Sequence, residues 1–354
     1  MLIGGSGGRT KYRSGSQELS IHSRNVAVTT MQLARWDLCR APRSPGYKSS
    51  PLVLAETDMA APDAATGVLL GLACGDALGR PVEFCSAESI ADQYGTVTEM
   101  LDHGTHGQPA GTVTDDTDLA LCIARSLVEQ EAFDEADIAE RFHEWYESGP
   151  FDVGLMTADA IREFGKGTSW RDAGREVWQH RAEGSNAGNG SVMRCAPHAI
   201  AFANDPDALV QVSRQSSAVT HHDPRCTYRC AILNCTIAGF FRGDDDPLAG
   251  AFDRLERDAP DELVETLRLI PDHVDEGQLP NSGYVVHTLQ TALYDALTAD
   301  SAEDAIVTAV NHGGDTDTIG AVTGALAGAR FGKESLPDRW LNAIAYREDL
   351  ELLG

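Results

Sequence analysis

Leu119-Ala-Leu-Cys-Ile-Ala-Arg-Ser-Leu-Val128, followed by Glu129-Gln-Glu131, decides the fold class. Its apolar residues follow a helical period, not the strict alternation of a half-buried strand. Residues 135–147, 207–219, 226–241, 261–269, 283–298 and 302–311 read the same way. Gly, Pro, Asp and Ser punctuate the connections, and no alternating run is present. The pattern predicts an all-α chain with one globular domain over residues 59–354. Residues 1–58 are rich in Gly, Ser and Arg, lack periodicity, and read as a disordered or non-native leader.

Two of the expected helices carry glycine every fourth residue: Gly67, Gly71, Gly75 and Gly79, then Gly320, Gly324 and Gly328. Each interior glycine costs a helix about 1 kcal/mol against alanine. A stripe of them is compensated when it lets another backbone approach closely. The expectation is a central pair of helices carrying the functional site at their ends.

Composition narrows the function. The chain has 354 residues, with 54 acidic and 28 basic, for a net charge of −26. Such a surface repels phosphate backbones, which argues against nucleic acid as a partner. Residues 1–58 hold eight Lys/Arg and four acids, so the remaining 296 residues carry a net charge of −30. Lysine occurs only at positions 11, 48, 166 and 333. An acidic, lysine-poor surface suits a halophilic cytosol, where salt screens self-repulsion. Urea melts at low and multimolar KCl test this, and equal stability in both contradicts it. No apolar run reaches membrane-spanning length, and residues 1–13 lack the order of a signal peptide. The eight cysteines contain no CxxC pair and read as buried thiols of a reducing, cytoplasmic protein.

Chemistry concentrates in five short stretches. Gly111-Thr-Val-Thr-Asp-Asp-Thr-Asp118 and Gly313-Gly-Asp-Thr-Asp-Thr318 each precede a helix. Helix capping accounts for one acid at each start. These offer three and two, and crowded carboxylates repel unless a cation lies between them. Carboxylate and hydroxyl donors select hard cations such as Mg²⁺, Mn²⁺ or Ca²⁺, and two motifs suffice for two ions. Ser185-Asn-Ala-Gly-Asn-Gly-Ser-Val-Met-Arg194 is a glycine-rich loop before an expected helix, suited to a phosphate. Thr220-His-His-Asp-Pro224 places paired histidines after a helix. Gly75-Asp-Ala-Leu-Gly-Arg-Pro-Val-Glu-Phe84 ends the first striped helix in an acid, with Pro81 directing the chain out of it.

Taken in order, these motifs resemble the ADP-ribosylglycohydrolases, most closely the dinitrogenase reductase-activating branch, over residues 67–332. The resemblance implies a single orthogonal helical bundle with two Mg²⁺ or Mn²⁺ ions in a cleft. It assigns Thr114, Asp115 and Asp116 to one ion, and Asp315 and Thr318 to the other, with Asp317 between them. Gly188, Asn189, Gly190 and Ser191 match the diphosphate loop. Met193 lines that pocket, His221 contacts substrate and Tyr284 stacks on adenine. Glu83 and Asp152 are the candidate catalytic acids, although Asp152 also reads as the cap of a helix over 153–164. The implied reaction is hydrolysis of the glycosidic bond between ADP-ribose and an acceptor, a protein or a small molecule. Water attacks, and one carboxylate moves the proton. The chain is expected to act as a monomer. The rivals are a dinuclear-metal phosphatase or diphosphatase, which needs basic residues such as Arg80 and Arg194 near the phosphoryl group, and a non-catalytic ADP-ribose-binding relative.

Overall fold

The two glycine stripes meet. In the computed structural model, which describes residues 52–53, 62–255 and 259–354, the helices Pro62–Gly79 and Thr316–Phe331 run antiparallel at the centre of the molecule. Gly67 faces Gly328, Gly71 faces Gly324, Gly75 faces Gly320, and Gly79 faces the backbone of Thr316. A Cβ at any of the four would overlap the carbonyl oxygen opposite. This pair makes the most extensive helix–helix contact among the described residues. The threonine that closes it, Thr316, donates its hydroxyl to the Gly79 carbonyl at 2.8 Å.

Among the described residues there are sixteen α-helices: α1 (Pro62–Gly79), α2 (Ala87–Tyr94), α3 (Asp115–Gln130), α4 (Glu135–Glu147), α5 (Leu155–Gly165), α6 (Trp170–His180), α7 (Pro197–Ala201), α8 (Pro206–Ala218), α9 (Pro224–Arg242), α10 (Pro247–Leu255), α11 (Asp261–Leu267), α12 (Val285–Thr298), α13 (Ala302–Asn311), α14 (Thr316–Phe331), α15 (Asp338–Leu341) and α16 (Arg347–Leu353). Their bounds follow the periodicity of the sequence closely, and the fold is all-α. The only described strands, Leu52–Val53 and Ala132–Phe133, pair antiparallel over two residues each. The described residues form one compact unit. Residues 1–51 and 54–61, which make up nearly all of the expected leader, lie outside the described residues.

Helix α14 is buried on every side from Thr316 to Ala329, which its glycine, alanine and valine content permits. Helices α9, α12 and α13 pack against it, and α8 and α10 pack against α9. Cys226 and Cys230 lie in this core, and all seven described cysteines are free. The arrangement brings the C-terminal end of α1 beside the N-terminal end of α14.

Close approach makes a prediction. Gly75→Ala should destabilise by about 1–3 kcal/mol, because overpacking outweighs alanine's helical advantage of about 1 kcal/mol. Gly250, exposed in α10 with open space around its Cβ position, is the control. Gly250→Ala should be neutral or stabilising. Urea melts of both variants check this, and equal shifts would contradict the packing account.

Candidate functional site

Three helix ends converge. Thr114 caps α3, its hydroxyl accepting from the Asp116 amide at 3.4 Å. Asp315 stands at the cap of α14, with Asp317 in its first turn. Asp76, in the last turns of α1 and 0% exposed, ties the first helix to the second. It accepts from the Thr114 amide at 3.0 Å, the Thr114 hydroxyl at 3.0 Å and the Thr117 hydroxyl at 2.5 Å. An acid inside an apolar helix is the signal that marks Asp76. It received no role in the sequence reading because its partners lie 38 and 41 residues away.

The acids of the two motifs do gather. Asp115, Asp116 and Asp317 are buried, and the Thr318 hydroxyl reaches Asp116 Oδ2 at 3.5 Å. Thr114 reaches the same oxygen at 3.2 Å. Carboxylate oxygens of Glu83, Asp315 and Asp317 lie within 4.8 Å of one another. Burial, reinforced by Asp152, pushes the Asp115 carboxyl up to about 8. Burial and neighbouring acids drive Asp116 and Asp317 well above the carboxylate range. Asp116 Oδ1 is buried and has no hydrogen-bond partner. A crowded, all-oxygen cluster with an orphaned carboxylate oxygen fits hard divalent cations. Asp118, third acid of the first motif, is no part of it. Its carboxylate accepts from the Trp145 indole at 2.9 Å, so it serves the packing of α3 on α4.

Glu83 follows the 3₁₀ turn Arg80–Val82 that succeeds α1. It is 5% exposed, hydrogen-bonds Asp317, and contacts His106 Nε2 through Oε2. Burial, then Asp152 and Asp315, pushes its carboxyl up to about 9. Asp152 stands beside both, the ligand atoms of Glu83, His106 and Asp152 all lying within 4.8 Å of one another. Burial raises the Asp152 carboxyl and His106 opposes the rise. Asp152 is not a helix cap, because α5 starts two residues later than expected with Gly154 at its cap. His106, in the stretch Asp102-His-Gly-Thr-His-Gly107, belongs to none of the motifs that the sequence offers.

The glycine-rich loop is held from two sides. The Asn189 side chain donates to Asp315 Oδ2 at 2.8 Å and to the Thr288 hydroxyl at 2.9 Å, linking loop to acids. Gly188 and Tyr284 form an antiparallel bridge. No helix follows the loop directly. Residues 190–194 are turns, and the next helix is the short α7, so a helix dipole does not serve it. Gly190 packs against His221 and Thr157, leaving no room for a side chain. The Ser191 hydroxyl is buried against Ser217 at 2.9 Å, so only its backbone is available to a ligand. Met193 Sδ lies 4.0 Å from the Thr318 hydroxyl. His221 is 2% exposed, and burial with Arg194 nearby holds it well below the usual imidazole range. Arg194 donates to the Thr220 oxygen at 2.5 Å. The Thr220 hydroxyl and His221 Nδ1 are hydrogen-bonded at 2.7 Å, and Nε2 faces the loop. Tyr284 is half-buried at the rim, its hydroxyl donating to Glu262 at 2.7 Å, with Arg225 over its ring.

The arginines that a phosphoryl-transfer enzyme would need are engaged elsewhere. Arg80 is fully buried on backbone carbonyls of residues 101–112. Arg194 is buried on the Gly190 carbonyl and Thr220.

The family model of the ADP-ribosylglycohydrolases matches residues 57–354. The chain belongs to the ADP-ribosylglycohydrolase family. It is 34% identical over 291 residues to the ADP-ribosyl-[dinitrogen reductase] glycohydrolase of Rhodospirillum rubrum, covering 82% of this chain and 93% of that one. It is 33% identical over 307 residues to the ADP-ribosylarginine hydrolase Tri1 of Pseudomonas putida, covering 82% and 77%. A solved ADP-ribosylglycohydrolase-related protein complex superposes with a TM-score of 0.69 at 32% identity, covering 82% of this chain and 95% of that one. As a member of this family the chain is a hydrolase that releases ADP-ribose from an acceptor. No helix among the described residues is long and apolar enough to cross a membrane.

The raised carboxyls make the stability of this glycohydrolase depend on pH. Their unfolded values lie near 4. Folded values of about 8 for Asp115 and about 9 for Glu83 mean the stability is complete below pH 4 and is lost as pH rises through 8 and 9. Metal-free enzyme should therefore melt at progressively lower temperature from pH 5 to 9. Mg²⁺ or Mn²⁺ at 100 times its Kd should add about 2.7 kcal/mol at a given pH. Tighter binding to ionised carboxylates should widen the gap in Tm as pH rises. Thermal melts with chelator and with Mn²⁺ check this, and a gap that does not grow with pH would contradict it.

Proposed function

We propose that residues 59–354 cleave the glycosidic bond between ADP-ribose and an arginine side chain of an acceptor protein, at a site holding two Mg²⁺ or Mn²⁺ ions. The observation that carries this reading is the buried cluster at the junction of α1, α3 and α14, with Asp116 Oδ1 unpartnered inside it. Thr114, Asp115 and Asp116 would hold one ion, Asp315 and Thr318 the other, and Asp317 would lie between them. When bound, the ions would offset the clustered negative charge and orient the distal ribose through its hydroxyls.

The chain's own residues do the rest. Glu83, whose carboxyl burial and the neighbouring acids push up in the metal-free site, is placed to give a proton to the departing acceptor nitrogen. Asp152 receives the proton of the attacking water. Acids around the anomeric carbon stabilise positive charge developing on the sugar ring. Backbone groups of Gly188, Gly190 and Ser191 cradle the diphosphate, Asn189 anchors the loop through its backbone amide on the Gly283 carbonyl at 3.1 Å, and Met193 lines the pocket. His221 turns Nε2 towards the loop, and Tyr284 offers a face for the adenine. Arginine as acceptor is supported by the cluster of acids, which complements a guanidinium, and by the name of the Pseudomonas putida relative. The net charge of −26 supports a monomer in a salt-rich cytosol, and the free cysteines support a reducing one.

A panel of proteins ADP-ribosylated on arginine, on serine and on cysteine, assayed with Mg²⁺ and with Mn²⁺ in high salt, tests the reading. The arginine conjugate should be hydrolysed at least tenfold faster than the others. A preference for serine or cysteine would overturn the acceptor assignment.

A further inference from the structure

We infer that His106 is a positioning residue for Glu83, held against its carboxylate by a loop built for that purpose. The inference rests on the reading of Glu83 as the acid that protonates the leaving group. A glutamate loses rotamer freedom when it is fixed, so its direction needs contacts to hold it. Among acids of like charge, a partner that donates a proton favours one orientation. Among the described residues His106 makes such a contact from outside the cluster, Nε2 meeting Glu83 Oε2.

The segment 101–112 has no α-helix, only the single 3₁₀ turn Gly104–His106, yet it is closely tied. Arg80, one turn before Glu83, sends Nε to the Thr112 carbonyl at 2.9 Å and Nη1 to that of His103 at 2.9 Å. Its Nη2 reaches the carbonyls of Pro109 at 3.0 Å, Gln108 at 3.3 Å and Leu101 at 3.4 Å. The buried guanidinium thus gathers five carbonyls of one loop around the turn that carries Glu83. The His103 amide meets the Gln108 carbonyl at 2.7 Å, and the Ala110 amide meets Asp102 at 2.9 Å. At the tip, His103 takes φ +64°, a left-handed conformation that is strained for a non-glycine residue. Gly104 follows at φ +62° and lies so close to the Pro81 backbone that no Cβ would fit. Thr105 then donates its hydroxyl to the Glu83 carbonyl at 2.7 Å. Glu83 is thereby held at its backbone carbonyl by Thr105 and at its side chain by the neighbouring imidazole. The His106 ring rests on Phe151, centroids 5.6 Å apart, beside Asp152. A strained tip, a buried arginine and two consecutive side chains on Glu83 have one common effect, which is to fix the direction of its carboxylate.

The test uses the full chain with saturating Mn²⁺ and an ADP-ribosyl-arginine substrate. H106A should lower kcat by about 10- to 100-fold, the size of a small misplacement, with KM changed less than threefold. H106Q sets an amide nitrogen near the place of Nε2 and should recover most of the loss, whereas the shorter H106N should not. In the E83Q background, H106A should add nothing further. Wild-type kcat in H106A beside an inactive E83Q would overturn this inference alone. So would losses that multiply in the double variant, or H106N matching H106Q. An E83Q enzyme of wild-type activity would overturn this inference together with the reading of Glu83 as the acid. H106Q and H106N keep the comparison decisive where H106A does not fold.

Discussion

Asp317→Asn is expected to abolish turnover in a protein that remains folded. Asp317 is 2% exposed in the first turn of α14, where Oδ1 accepts the Thr318 amide at 2.8 Å. Asparagine keeps both the shape and that acceptor, so the helix start survives. What is lost is the charge. Burial, then Glu83, Asp116 and Asp315, drives the Asp317 carboxyl well above its ordinary range. Removing one charge from the cluster relieves repulsion, so the metal-free variant should be as stable as the parent or more so. It also removes the acid proposed to lie between the two ions. Losing several kcal/mol of transition-state stabilisation corresponds to about 1,000-fold or more in kcat/KM. Melts with and without Mn²⁺ should show the metal-dependent rise in Tm gone. Full activity in this variant would mean the acids are misassigned.

Glu83→Gln is the second large effect. Glutamine fits the same space and can still accept from His106, but it has no proton to give. General acid–base catalysis contributes about 10²- to 10⁴-fold, so kcat should fall by at least about 10². Affinity for ADP-ribose should be largely kept, because the proposed contacts to diphosphate and adenine lie with the 188–191 loop and Tyr284. Asp152→Asn should cost less, since it removes a base facing water and leaves the proton on Glu83. Steady-state kinetics of the two variants separate the roles, and the reverse order would make Asp152 the proton donor and Glu83 its support.

The fold was legible because its determinants are periodic. The helical stretches at 135–147 and 302–311 match α4 and α13 residue for residue. The glycine stripes predicted close backbone packing, and α1 and α14 pack that way. The acids were legible because crowding carboxylates at two helix starts has no use in capping alone. Three things were hidden. Asp118 belongs to the same motif as Asp115 and Asp116, yet the turn of the helix points it at Trp145. Arg80 reads as a phosphate ligand, but it is buried under carbonyls that no local pattern announces. His106 meets Glu83 across 23 residues through a loop whose course depends on Arg80. Each of these is a contact at long sequence separation, and the spacing along the chain carries no trace of it.

The account stands most directly on which bond is broken. The measurement is identification of the products from a protein ADP-ribosylated on arginine, by chromatography and mass, with Mn²⁺ and with chelator. The account predicts intact ADP-ribose and an unmodified arginine with Mn²⁺, and no product with chelator. Release of AMP, leaving phosphoribose on the arginine, would contradict it, because that product comes from cleavage of the diphosphate.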